Sequence, residues 1–184
     1  MAERPILFSG AMVRAILEGR KTQTRRVISD KHEWARSNAV RGECWLSPFG
    51  VRGDRLWVRE THAGDNLCGW VYRADHPDAD IRAGELDDGE QTLRRWTPAI
   101  HMPRAACRLM LDVVTVRVER LQEISEEDAI AEGVRPPGDY GRAPNVAVYR
   151  ALWDSLNAKR GYGWDVNPWV WVIEFRRTRA DTPR

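Results

Sequence analysis

Apolar and polar positions alternate along the chain in short blocks whose period changes repeatedly. Ile6-Leu7-Phe8 is an apolar run that predicts a strand. Ser9 is placed to cap a helix running to about Glu18, with Val13, Ile16 and Leu17 on one face and Gly19 positioned to end it. Thr22 to Ile28 returns to a strand pattern, Gly53-Asp54 marks a turn, and Arg55–Glu60 and Gly69–Arg73 read as further strands. Cys107 to Glu119 is the best strand pattern: Leu109, Leu111 and Val113 share one phase, and Val114, Val116 and Val118 the other. That slip predicts a bulge or bend where a sheet curls. Ser125 caps a second helix, with Asp128 at the capping-box position and Ile124 set to pack on Ala129, and the helix ends at Glu132-Gly133. Asn145 to Lys159 predicts a third helix, its apolar stripe formed by Val148, Leu152, Trp153 and Leu156. Trp169 to Phe175 is apolar on both faces, as in a strand covered on both sides. The pattern is α+β, a small curled sheet with helices packed on it. Residues 29–52 and 75–98 carry little periodicity and read as insertions, and a short flexible tail is expected from about residue 177.

A length of 184 residues fits one domain, and 42% hydrophobic with 30% charged residues fits a globular chain with one core. No apolar run approaches the ~20 residues of a membrane span. The start, MAERPILFSG, lacks the apolar stretch of a signal peptide, so a cytoplasmic location is expected. Cys44, Cys68 and Cys107 are odd in number and widely spaced, which argues against a disulfide framework. The balance of 29 basic against 27 acidic residues gives +2 and excludes a protein held on nucleic acid by bulk charge alone. A local patch remains open: 26 of the basic residues are Arg, whose fork binds oxyanions bidentately, and some of the nine Trp are available for stacking on bases.

The densest polar segment is Gly19-Arg20-Lys21-Thr22-Gln23-Thr24-Arg25-Arg26. Its four cations and two hydroxyls suit a phosphate or a carbonyl oxygen, and they equally suit a charged edge strand that resists pairing. It is not a P-loop, because no glycine-rich turn precedes Lys21 and no helix start follows it. His62, Cys68, His101 and Cys107 are metal-ligand types without metal-ligand spacing, so neither a metal nor a cofactor is expected. Arg94-Arg95-Trp96, Trp70 with Tyr72, and Tyr140 with Arg142 mix cations and aromatic rings in the manner of base-stacking platforms, or of packed aromatics beside surface Arg.

Leu17 to Arg26 resembles the G-x-K-T-x-T-x-R signature of the ASCH domain, a relative of the PUA-like RNA-binding fold. Gly53-Asp54-Arg55-Leu56-Trp57-Val58 looks like that family's G-D-x-L-x-V strand, and Ile124 to Gly133 is similar to its A-x-x-E-G helix. Trp171-Val172-Ile173-Glu174-Phe175 matches its closing strand. The four blocks stand in the family's order, and the wording of residues 4–27 and 168–175 looks most like the phage and prophage branch. The resemblance implies a small β-barrel with helices around a cleft. It also implies an amidohydrolase that removes the acyl group from N(4)-acetylcytidine-like nucleosides, with Thr24 as nucleophile, Lys21 as proton acceptor and Glu132 as proton donor.

The chemistry of those residue types is coherent. A Thr hydroxyl needs a neighbour to take its proton. A free Lys, at about 10.4, is protonated at neutral pH, and a drop of about 3 units would free it. Burial and the nearby Arg20, Arg25 and Arg26 push in that direction. Glu132 at a helix C-terminus suits an acid. Strict strand alternation would put Lys21 and Thr24 on opposite faces, so their convergence requires Lys21 in the turn before the strand, or a bulge. Arg20, Arg25 and Arg26 are the expected substrate- or phosphate-binding cations. Two other functions fit the same chain: a non-catalytic module that binds RNA or a modified base, and a ribonuclease. The expected partner is a modified nucleoside or RNA.

Overall fold

The computed structural model describes residues 1–28, 47–65, 69–77, 96–134 and 144–178. Five strands form one sheet: β1 (Glu3–Leu7), β3 (Arg55–Arg59), β6 (Met110–Arg120), β7 (Trp169–Arg177) and β2 (Gln23–Val27), in that spatial order. β1 runs parallel to β3, and the other pairs are antiparallel. β4 (His62–Asp65) and β5 (Gly69–Tyr72) form a separate two-stranded ladder. Among the described residues three α-helices accompany the strands: α1 (Gly10–Leu17), α2 (Glu126–Ala131) and α3 (Asn145–Asn157). The architecture is α+β, as the pattern predicts.

β7 is interior and divides two cores. Trp171, Ile173 and Phe175 join Ile6, Phe8, Val13, Ile16, Leu56 and Leu111 in one cluster. Val170 and Val172 join Leu121, Ala129, Tyr149 and Trp153 in the other. Burying a side chain of this size contributes about 1.5–3 kcal/mol, so a strand apolar on both faces is held from both sides. The phase slip in β6 is a register shift between Val113 and Thr115, and it turns Val114 outward at 41% exposure. Caps fall where the sequence puts them. Ser9 accepts from the Met12 amide at 3.4 Å, and Ser125 from the Asp128 amide at 3.1 Å.

Three expectations need correction. The sheet is curled but is not a closed barrel among the described residues, because no backbone ladder joins its edges β1 and β2. Five strands, both outermost ones only five residues long, do not bring the edges within the ~4.8 Å of a paired ladder. Instead a side chain spans the gap: Arg26 Nη2 on β2 donates to the Leu7 carbonyl on β1 at 2.6 Å. Second, the buried face of α3 is Tyr149, Trp153 and Asn157, one residue round from the predicted stripe, while Leu156 is 49% exposed. The helix packs on the second core through Tyr149 and Trp153, with Val148 and Leu152 of the predicted stripe partly buried beside them, and Leu156 is left on the cavity wall. Third, residues 47–52 belong to the fold: Ser47 is buried, Phe49 packs on the first core, and Val51 N donates to Asp54 Oδ2 at 3.2 Å. Residues 29–46 and 78–95 of the two expected insertions lie outside the described residues, as do Cys44, Cys68, Arg94, Arg95, Tyr140 and Arg142. At the C-terminus β7 continues through Arg177, with Thr178 N bonded to Met110 O at 2.9 Å, and only residues 179–184 of the expected tail fall outside the description.

Candidate functional site

The gap between the sheet's two edges is a cavity of about 770 Å³. Leu7 and Phe8 at the end of β1, Thr24, Arg25 and Arg26 of β2, and Tyr149, Trp153 and Asn157 of α3 line it, together with Glu132, Arg59 and Arg160. Its walls are therefore apolar and aromatic with a few polar groups, the usual make-up of a small-ligand site.

Backbone bonds carry Lys21 to this place. Gly19, in the left-handed region at φ 75°, ends α1 and reverses the chain. The amides of Arg20 and Lys21 both donate to Ala15 O, at 2.9 and 3.0 Å. Thr22 N then donates to Ala131 O at 2.9 Å, and Lys21 pairs with Glu132 in an isolated antiparallel bridge. Lys21 thus lies ahead of β2, in the turn, which removes the obstacle of strand alternation. Lys21 is 2% exposed, and its ammonium donates to Gln23 O at 2.8 Å, Glu132 O at 2.8 Å and Glu132 Oε2 at 2.9 Å. Burial lowers the Lys21 pKa; the Glu132 carboxylate opposes this, and Arg26 and Arg25 add to the lowering.

Gly133 makes the approach of the two segments feasible. It sits at φ 86°, and a Cβ there would lie 2.9 Å from Lys21 Cβ and 3.1 Å from Ala15 Cβ. Gly133→Ala is expected to cost about 1–3 kcal/mol through backbone strain and overpacking, read as a lowered urea midpoint at unchanged m-value. An unchanged midpoint would mean that the Lys21–Glu132 bridge tolerates displacement.

Thr24 is 3% exposed, lies opposite Ile173 on β7, and lines the cavity. Glu132 is 6% exposed, and its second oxygen meets Arg25 Nη1 at 3.4 Å. Thr24 and Glu132 thus both line the cavity, and Lys21, outside its lining, is held by Glu132.

The three arginines part company. Arg20 pairs with Glu18 at the surface and donates to Gly133 O at 2.9 Å, clamping the loop after α2 rather than lining the cavity. Arg25 is a buried hub: its Nη2 meets Asp128 at 2.7 Å and Glu119 at 3.2 Å. Arg117 extends this network to Glu119, Asp128 and Glu174. Burial alone would raise the Asp128 carboxyl; its hydrogen bond and charge contact with Arg25, with help from Arg117 and Gln23, outweigh that and hold it below the usual range. Arg26 lines the cavity, its guanidinium 5.1 Å from the centre of the Phe8 ring.

Several lining residues carry no motif. Tyr149 is buried, and desolvation with the Glu132 charge pushes its phenol well above its ordinary value, so it stays protonated as a donor. Helical spacing from Trp153 was the one available signal for Tyr149. Arg59 and Arg160 had none. Elsewhere, His62 is buried, its ring edge-on to Trp70 at 5.4 Å and its Nδ1 3.3 Å from Glu60 O, while His101 is exposed. Burial raises the Cys107 thiol. Tyr72 carries the Arg108 guanidinium 3.9 Å above its ring, and Trp96 faces that of Arg73 at 5.5 Å. Among the described residues no group of three or more His, Cys, Asp or Glu side chains is arranged to hold a metal.

No protein-family model matches the chain, and no curated protein matches it. Two solved structures are similar to it. A crystal structure of an ASCH domain from Lactobacillus crispatus JV V101 is 14% identical, covers 96% of this chain and 79% of that one, and superposes with a TM-score of 0.46. A protein of Enterococcus faecalis V583 with the family model DUF984 is 12% identical, covers 100% and 85% of the two chains, and gives 0.47.

Proposed function

We propose that the protein is an amidohydrolase that removes the acyl group from N(4)-acylated cytosine nucleosides. The observation that carries this reading is the buried contact of Lys21 Nζ with Glu132 Oε2 at 2.9 Å, with Glu132 and Thr24 both lining the cavity. Moving one proton along that contact gives a neutral amine and a neutral carboxylic acid, the base and the acid that amide cleavage needs. Burial lowers the Lys21 pKa and so eases formation of the neutral amine. Thr24 Oγ1 then attacks the acyl carbon while Lys21 takes its proton. The C–N bond breaks, Glu132 protonates the departing N(4), and an acyl-threonine is left with an ammonium and a carboxylate. Water attacks the ester, gives a proton to Glu132, and Thr24 recovers its own from Lys21. The sum is amide plus water to carboxylic acid plus cytosine amine, with both residues restored. Tyr149, held protonated, is a donor for the acyl oxygen.

Incubation with N(4)-acetylcytidine is expected to release cytidine and acetate in equal amounts, followed by chromatography. No release from acetyl-, propionyl- or benzoylcytidine would reject this reading. A second reading, a non-catalytic nucleic-acid-binding module, draws on Arg26, Arg59 and Arg160 around the same cavity. It predicts binding of cytidine-containing RNA without turnover.

A further inference from the structure

We infer that the cavity takes its base as a phosphorylated nucleotide rather than as an uncharged nucleoside, with the phosphate ester held by Arg59 and Arg160. This rests on the acylcytosine reading above and names the form in which the base arrives.

Charge is the first ground. Arg26, Arg59 and Arg160 line the cavity. The acidic group on its wall is Glu132, which already meets Lys21 at 2.9 Å and Arg25 at 3.4 Å. Of the four arginines on the wall, Arg25 is paired with Glu119, Asp128 and Glu132, whereas among the described residues Arg26, Arg59 and Arg160 have no carboxylate within 4.0 Å. Arg55, Arg104, Arg108, Arg117, Arg150 and Arg176 all have one. Arg160 also repels Arg26, and burial makes Arg26 a weaker holder of its proton. A neutral ligand would strip water from these cations and return no charge, whereas a phosphate returns up to two.

Unmet donors are the second ground. The Nε atoms of both Arg26 and Arg59 are buried and have no hydrogen-bond partner. Arg25 Nε on the same wall and Arg4 Nε away from it are likewise unpaired, and the donors of Arg26 and Arg59 are open to an acceptor that enters the cavity. Neither side chain is loose. Arg26 is fixed by Leu7 O, and Arg59 by Ile100 O and by the Trp57 ring 5.3 Å away. Planar forks fixed in this way recognise oxyanions at little entropic cost. Size agrees: a 770 Å³ cavity is within the range for drug-sized ligands and has room for a mononucleotide, its base against Phe8 and Trp153.

Calorimetric titration with cytidine and with cytidine 5′-monophosphate tests the inference without needing turnover. The monophosphate is expected to bind at least about tenfold more tightly, with a preference that shrinks as salt rises. Arg160→Gln, at an exposed position, should keep the circular dichroism spectrum and bring the ratio close to one. Arg59→Lys keeps the charge but loses the fork, and should give an intermediate ratio. Equal affinities in the wild type, a ratio unmoved by Arg160→Gln, or no binding of either compound overturns the inference. A trinucleotide beginning with cytidine, with and without a 5′-phosphate, identifies the source. A phosphate preference there as large as the mononucleotide's assigns the site to RNA ends, and one confined to the mononucleotide assigns it to the free nucleotide. Tight monophosphate binding with no deacylation of either acetylated form keeps the phosphate subsite and rejects the amidohydrolase. Deacylation with no phosphate preference does the reverse.

Discussion

Thr24→Val is expected to reduce deacylation of N(4)-acetylcytidine by at least about 10³-fold while leaving the fold intact. Removing a nucleophile costs this much or more in enzymes that pass through a covalent intermediate. Valine keeps the β-branched shape at a strand position 3% exposed, so the stability change should stay within about 1 kcal/mol. Thr24→Ser retains a hydroxyl and should retain measurable turnover. Lys21→Arg is the companion variant, since it keeps the positive charge and forfeits the proton acceptor. It needs a thermal-melt control, because the larger head must fit where Gly133 already stands tight against the Lys21 Cβ. The decisive comparison is kcat/KM for the three variants, with acyl-enzyme trapping by mass spectrometry in the wild type. Thr24→Val turning over at the wild-type rate would place the nucleophile elsewhere and sink the Thr24 mechanism.

Much of the frame is readable in the chain because its causes are local. A cap needs Ser125 and the amide three residues on, both within one turn. The bulge of β6 is written as a switch of phase between Val113 and Val114, and the two-sided burial of β7 as an unbroken apolar run. The site is less legible because its partners are remote. Arg25 reads as a free cation beside Arg26, but Glu119 and Asp128, 94 and 103 positions away, close on it from β6 and α2. Arg26 and Arg25 differ in role only because neighbours on a strand point to opposite faces. Arg26 lies opposite Trp171, on the first core's side, whereas Arg25 lies opposite Val172, on the second's. Arg59, on β3, and Arg160, in the turn after α3, reach the cavity from segments far apart in the chain, which no local spacing encodes. The one-residue rotation of α3 has a similar origin. Val148, Leu152 and Trp153 of the periodic stripe do pack on the second core, but Tyr149 is buried beside them and Leu156 is left exposed on the cavity wall.

Glu132→Gln should be the most destabilising of the single changes at this site. It leaves the ammonium of Lys21 buried with two carbonyls and no counter-charge, and weakens the support of Arg25. Breaking one side of a buried pair costs about 3–5 kcal/mol, or about 6–20 °C in Tm for a chain of this size. Part of that cost is escapable, because Lys21 can shed its proton. Glu132 is the group that raises the Lys21 pKa against burial, so its removal lowers that pKa further below 10.5. Between the folded-state value and 10.5 the unfolded chain then binds one proton more than the folded chain, so stability rises with pH across that window and levels off above it. The wild type has the same sign over a narrower window. Adding Lys21→Met to Glu132→Gln removes the orphaned charge, so the double variant should regain stability relative to Glu132→Gln alone and lose its pH slope in that window. Urea midpoints of the four proteins between pH 6 and pH 10 measure both effects, with the coupling energy of the cycle expected at about 2 kcal/mol or more. A coupling near zero, or a Glu132→Gln protein whose stability is flat with pH, would show that Lys21 and Glu132 are not a buried pair. The shared proton on which the proposed acid and base depend would then have no seat.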